Sequence, residues 1–366
     1  MTITPSPRRR RSLAGSTALL VAVLIAAAFA PGRTARAERL LFQRSDALYA
    51  AGTDGANARR LFVVGRASDG VVWAPAPNGR RIAWLERLPA QNDLAGAAGL
   101  SVRPVAVYVA DLSGRPRKRL LATNDLRDRQ KRKVTRLFVG SEVPTENGVS
   151  PFSDWALDSL AWSADGRSLY LSCTFLPSAG GRATFVADAR TGAVVVDAQG
   201  RWKSIAPMTQ VDARGPLLVG VGLSRTTDEA TAANAQSKYA PLLVTNLAEG
   251  KTISLLAPTF SSTRRPAYAT ALFPALSPDA SVVVFTALGQ GLYLVDARAG
   301  KTYRRLTTGA GDDNARWRGD GKHILYLSAS PDGARDDLYD LEVPLVGTGR
   351  GRLILADVDR FFVVPD

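Results

Sequence analysis

Apolar and polar residues alternate with a period of two in short runs along most of this chain, and Asp-Gly, Asn-Gly and similar pairs part the runs. The stretch ARWRGDGKHILYL, Ala315 to Leu327, shows the unit most clearly. Alternation on both sides of a glycine and aspartate turn predicts strand, tight turn, strand. Trp317 closes the first strand, Gly319-Asp320-Gly321 turns, and Ile324 and Tyr326 belong to the second.

The same order recurs. In VVWAPAPNGRRIAWLER, Trp73, Asn78-Gly79 and Ile82-Ala83-Trp84 take the places of Trp317, Asp320-Gly321 and Ile324-Leu325-Tyr326. VAVYVADLSGRPRKRLLA follows, with Tyr108 on a strand and a turn over Asp111 to Gly114. One repeat is therefore four strands: a Trp strand, an apolar strand after the turn, a Tyr strand ending in Asp, and an outer strand after a glycine turn. LAWSADGRSLYLSCTF with ATFVADARTGAVVVDA is a further copy, FPALSPDASVVVFTA with GLYLVDARAGKTYRRLT another, and the first stretch with DDLYDLEVPL the last. Between them lies a degenerate copy without the Trp, TQVDARGPLLVGVG with APLLVTNLAEGKTISLL. Third-strand turns at Asp54, Asp111, Asp188, Asn246, Asp296 and near Asp340 count six units.

Four-stranded units in series predict a β-propeller, because one blade cannot bury both faces and a closed ring can. The expected fold is all-β: a six-bladed β-propeller of four-stranded antiparallel blades over residues 38–366, with insertions near 86–104 and 122–158. The first unit, Leu40 to Val64, lacks a Trp strand, and the tail LILADVDRFFVVPD carries spare strands. A tail strand completing the first blade would close the ring and remove two exposed edges. Trp73, Trp162 and Trp317, equivalent by repeat, are expected to pack between blades, and the repeat Asp residues to bond turn amides.

These copies resemble the repeats of the TolB-like propellers, whose motif runs W-S-P-D-G-K/R-x-I/L-A/Y-F/Y and then L/I-Y-V-x-D/N-x-x-G-G-x-x-x-x-L-T. The matches are Trp162-Ser163-Ala164-Asp165-Gly166-Arg167, Ser277-Pro278-Asp279, and Trp317-Arg318-Gly319-Asp320-Gly321-Lys322. Third strands match at Leu48-Tyr49, Val107-Tyr108, Leu292-Tyr293 and Leu338-Tyr339, and a blade end at Arg305-Leu306-Thr307. The resemblance covers roughly residues 38 to 366 and implies the family's propeller without the N-terminal α/β domain that TolB carries. It also implies that loops leading into the Trp strands face a central channel and bind partner peptides. On that implication the candidate residues at the channel mouth are Asp69, Asp154, Asp158, Asp312, Asp313 and Asn314. Asp312 and Asp313 are suited to a cation or to the N-terminal or basic part of a peptide. Similar repeats occur in gating domains of peptidases and in propeller lyases, so a hydrolase or lyase acting on a peptide or polysaccharide at the mouth is the second function class.

Composition alters this picture at the N-terminus. Arg8 to Arg11 form a basic block, Leu13 to Ala30 an apolar run, and Ala35-Arg36-Ala37 a small-x-small site, the order of a secretory signal peptide over residues 1–37. Arg10-Arg11-Ser12-Leu13 also fits a twin-arginine signal, and an uncleaved anchor is the other reading of the apolar run. A periplasmic or secreted protein is expected. Removing six arginines and no acid with the leader takes the formal charge from +14 to +8. Cys173, the one cysteine, can form no intramolecular disulfide and is expected to be a buried small hydrophobe.

Catalytic chemistry is sparse. His323 is the one histidine, expected as an exposed turn residue, and no H-E-x-x-H, G-x-S-x-G, Cys/His cluster or phosphate loop is present. No catalytic residue and no cofactor is assigned; metal in the channel is left open. The segment Asp125 to Arg136 holds six basic residues in twelve. With Phe152 and Trp155 nearby, Arg129, Lys131, Arg132, Lys133 and Trp155 form a candidate surface for an acidic envelope protein or an anionic envelope surface. Nucleic acid is not an expected partner of an exported chain. The reading is an exported, non-enzymatic, monomeric scaffold for a protein or peptide partner in the cell envelope.

Overall fold

A computed structural model describes residues 37–66, 71–87, 105–122, 155–175, 182–195, 203–222, 241–256, 271–300 and 303–365. The leader, Asp69, Asp154 and the basic run with Arg129, Lys131, Arg132 and Lys133 lie outside these residues.

The alternating runs form twenty-four strands among the described residues, in six antiparallel sheets of four. The first blade holds β1 (Glu38–Arg44), β2 (Ala47–Gly52) and β3 (Arg59–Val63), and the second β4 (Val72–Pro75), β5 (Arg81–Arg87), β6 (Val105–Asp111) and β7 (Lys118–Ala122). The third holds β8 (Trp155–Trp162), β9 (Ser168–Phe175), β10 (Arg182–Asp188) and β11 (Ser204–Ala206). The degenerate copy forms the fourth, β12 (Met208–Arg214), β13 (Leu217–Gly222), β14 (Leu242–Asn246) and β15 (Lys251–Leu256). The fifth is β16 (Ala271–Leu276), β17 (Val282–Ala287), β18 (Gly291–Asp296) and β19 (Tyr303–Arg305). In the sixth are β20 (Asp313–Trp317), β21 (His323–Ala329), β22 (Asp336–Glu342) and β23 (Arg352–Leu355). The last strand, β24 (Arg360–Pro365), crosses back to the first blade and pairs with β1 from Gln43↔Arg360 to Glu38↔Pro365. The ring is thus closed by the tail, while Arg352–Leu355 is not spare but is the outer strand of the sixth blade.

Local chemistry explains why each unit folds alike. In the first hairpins Asp165 Oδ1 accepts the Arg167 amide, Asp279 Oδ1 that of Ser281 and Asp320 Oδ1 that of Lys322. Asp111, Asp188 and Asp296 do the same for amides of the third-strand turns. The repeat Tyr has a specific partner. Phe42–Tyr49, Trp84–Tyr108, Phe285–Tyr293 and Tyr326–Tyr339 are directly opposite across the second and third strands, with near-parallel rings 5.2 to 5.8 Å apart. Cys173 is fully buried.

Two expectations need correction. Trp162 and Trp317 are equivalent, opposite Leu169 and Ile324, but Trp73 lies opposite Trp84, and Pro75 takes the Trp position of its blade. A shift of two keeps Trp73 on the same strand face, so it is still buried. His323 is not exposed: it is half-buried, with Nδ1 2.7 Å from Asp320 Oδ2, and so locks its turn.

Candidate functional site: the central channel

The innermost strands, β24, β4, β8, β12, β16 and β20, come one from each blade and surround the axis. Their alternation points successive side chains towards the two neighbouring blades. Trp162 is buried against the second blade and Ala161 against the fourth, and edges of both reach the axis; Arg316, before the buried Trp317, lines it too. A cavity of about 240 Å³ lies there, walled by residues of all six strands, among them Val72, Ala161, Asp212, Phe273, Arg316 and Phe362.

Four consecutive inner strands carry an irregularity near the cavity: β8 after Leu157, β12 after Thr209, β16 after Leu272 and β20 after Asp313. In three of them a non-glycine residue takes a left-handed conformation, Gln210 at φ 50°, Phe273 at 47° and Asn314 at 47°. Side chains tie these bulges together. Ser159 Oγ accepts the Gln210 amide at 2.9 Å, and Gln210 Oε1 accepts the Phe273 amide at 3.0 Å. The next bulge, at Asn314, faces β24, which has none, and the buried Asn314 Oδ1 has no partner among the described residues.

The charges on the wall are uneven. Arg214, Arg316 and Arg360 line the cavity with one acid, Asp212, whose Oδ2 accepts the Leu276 amide at 2.9 Å. Arg316 and Arg360 are enclosed by the strands yet keep part of their surface open to the cavity. Burial lowers the Arg316 pKa; Asp212 opposes this and Arg214 adds to it. Arg360 falls to about 9, through burial first and then repulsion by Arg316.

The predicted mouth residues are placed differently from one another. Asp312 is 6% exposed and structural: Oδ1 accepts Ser328 Oγ at 2.7 Å and Oδ2 the Gly309 amide at 3.2 Å. Asp313 opens β20, and its pKa is pushed up to about 7 by burial, then by Asp336 and Asp312. Asp336 is raised too, by burial and by Asp337. None of Asp312, Asp313 and Asn314 lines the cavity. Trp155 opens β8 and Asp158 is the extra residue of its irregularity. Among the described residues no three His, Cys, Asp or Glu side chains converge as metal ligands would.

Asp313 sets a pH dependence of stability. Its carboxyl moves from 3.8 to about 7 on folding. Between those values the folded chain keeps a proton that the unfolded chain has released, so this contribution is complete below about pH 4 and is lost as pH rises through 7. The full shift is worth at most about 4 kcal/mol, and residual contact with water reduces the expected effect to about 2 kcal/mol. Asp313→Asn removes the dependence: in denaturant melts the variant gains on the natural chain between pH 4.5 and 8. Parallel profiles would refute the assignment.

Arg316, Arg360, Asp212 and Phe362 are the wall residues that the sequence reading missed. No local signal marks them, because consecutive residues such as Ala161 and Trp162 line the same wall.

Six blades of this repeat, closed by the tail around a channel, are the fold of the TolB-like propellers. TolB from Acinetobacter baumannii matches with a TM-score of 0.54 at 14% identity, over 91% of this chain and 67% of that one. A chain of the nidogen/laminin complex matches with a TM-score of 0.55 at 8% identity, over 89% of this chain and 98% of that one. At such identities the likeness is one of fold. No protein-family model matches the sequence, and no curated protein matches it. Among the described residues no helix is long and apolar enough to cross a membrane.

Proposed function

We propose that this chain is an exported binding scaffold that receives an extended segment of a protein or peptide partner in the cell envelope at its central channel. The observation that carries the reading is the cavity on the axis, to which every inner strand contributes and whose wall mixes apolar side chains with a few charged ones. A concave site that combines apolar walls with a small number of polar anchors is the usual form of a ligand site. Its volume of about 240 Å³ is small, which suits the end or side chains of a segment rather than a folded domain. The basic run with Arg129, Lys131, Arg132 and Lys133 is proposed as a second contact, towards an acidic partner or an anionic surface. A hydrolase working at the mouth has one observation in its favour: Asp313, with its pKa near 7, can exchange a proton at neutral pH.

Photocrosslinking in the native envelope tests the scaffold. A crosslinking amino acid at Phe273, on the cavity wall, is expected to capture a partner. The same group at Lys251, exposed on the outer strand β15, is expected to capture none. Equal capture at both positions, or none at Phe273, contradicts the reading.

A further inference from the structure

Charge on the cavity wall is not balanced from within. Its three arginines face one carboxylate, Asp212, one of whose oxygens accepts the Leu276 amide. Asp212 favours the charged form of Arg316, whereas among the described residues no carboxylate offsets the burial of Arg360, on which Arg316 acts as a second unfavourable influence. The guanidinium groups are also poor in hydrogen bonds. Among the described residues the Nε atoms of both are buried without a partner, and Arg316 Nη1 reaches the Pro274 carbonyl only at 3.4 Å. Both guanidinium groups lie against one ring, that of Phe362, with their carbons 5.1 Å and 5.9 Å from its centroid. Two enclosed like charges beside one aromatic ring are costly to the empty protein. An anion between them would reverse that cost, and guanidinium pairs with carboxylate in a planar, two-point geometry.

We propose that the central cavity is a binding site for an organic carboxylate, held by the guanidinium groups of Arg316 and Arg360, with its apolar part against Phe362, Phe273 and Val72. This rests on reading the channel as the binding site and names the chemistry it recognises. A carboxylate suits the site better than a phosphate, because much of the remaining wall is apolar and Asp212 already neutralises part of the positive charge. Two sources share this chemistry: the free C-terminus of a peptide entering from the mouth, and a small organic acid.

Calorimetry on the full chain tests the proposal with four probes: a tetrapeptide ending in Phe with a free C-terminus, its C-terminal amide, benzoate and inorganic phosphate. The free acid is expected to bind at least tenfold more tightly than the amide. Benzoate binding as well as the peptide acid identifies a small-acid site, and benzoate binding much more weakly identifies a chain terminus; both support a carboxylate. Arg316→Gln and Arg360→Gln should each weaken acid binding tenfold or more, with Arg360→Lys intermediate. Arg360→Met provides a readout that a structural arginine would not give: the empty variant should melt no lower than the natural chain, because an uncompensated buried charge is gone. Equal affinity for acid and amide, phosphate binding as tightly as the peptide acid, or unchanged affinity in both Gln variants overturns the proposal. So does a marked loss of melting temperature in both Arg360→Met and Arg360→Lys. If crosslinks at Phe273 persist in the Arg316→Gln, Arg360→Gln double variant, the scaffold stands and the carboxylate site falls. Should benzoate bind while Phe273 captures nothing, the carboxylate site stands and the scaffold falls.

Discussion

Deleting residues 361 to 366 is expected to abolish cooperative folding near 37 °C. The deletion strips the inner strand from the first blade: Phe361 and Val364 are buried, Phe362 packs on Trp73 with ring centroids 4.8 Å apart, and the β1 pairing from Phe42↔Phe361 to Glu38↔Pro365 is lost. At about 1.5 to 3 kcal/mol for each of the two buried side chains and about half that for the half-buried Phe362 and Val363, the loss is roughly 4 to 9 kcal/mol, comparable with the whole stability of an ordinary domain. It also leaves β1 as an unpaired edge in the middle of the ring and opens a route to aggregation. Circular dichroism melts with hydrogen exchange at β1 would follow it. A midpoint within a few degrees of the natural chain would mean that the ring closes without β24.

Trp73→Ala is expected to cost about 3 to 5 kcal/mol, the range for emptying a large aromatic site. Trp73 is fully buried, and its Nε1 donates to Gln43 Oε1 at 2.8 Å across the seam between the first two blades. Gln43 is itself fully buried and donates from Nε2 to the carbonyls of Gly65 at 2.8 Å and Ser45 at 3.0 Å. The residue therefore holds three groups with one side chain. Trp73→Phe separates the two contributions, because it keeps most of the apolar contact but leaves the Gln43 oxygen without its donor, at about 1 to 3 kcal/mol. Denaturant unfolding of the two variants should place Phe between the natural chain and Ala. If Phe unfolds with Ala, the hydrogen bond outweighs the packing.

Both experiments act on the seam where the chain's ends meet, and that seam was largely legible beforehand. A first unit without its inner strand and a tail with a strand to give are complementary deficits, and edge pairing is the physical demand that joins them. The blade count was legible too, even in the fourth blade, because a turn needs the same Asp or Asn and glycine chemistry wherever it occurs. What misled was the Trp of the second blade. Pro75-Ala76-Pro77 keeps the turn in place while Trp73 moves two residues upstream, a shift that alternation cannot detect because it leaves the face unchanged. The role of Asp312 was equally hidden, since a carboxylate in a loop before a strand reads the same whether it awaits a ligand or, as here, caps Gly309 and holds Ser328.

The sequence by itself determined which residues turn, which face of each strand is buried and how many blades there are, because those are local consequences of alternation and turn chemistry repeated six times. Only the tertiary structure decided what the axis presents. Arg316 and Arg360 belong to different blades, and nothing in either repeat marks them as neighbours; closure of the ring brings both to the ring of Phe362. A channel wall takes one short stretch from every part of the chain, so its charge balance depends on long-range convergence, to which a local pattern is blind.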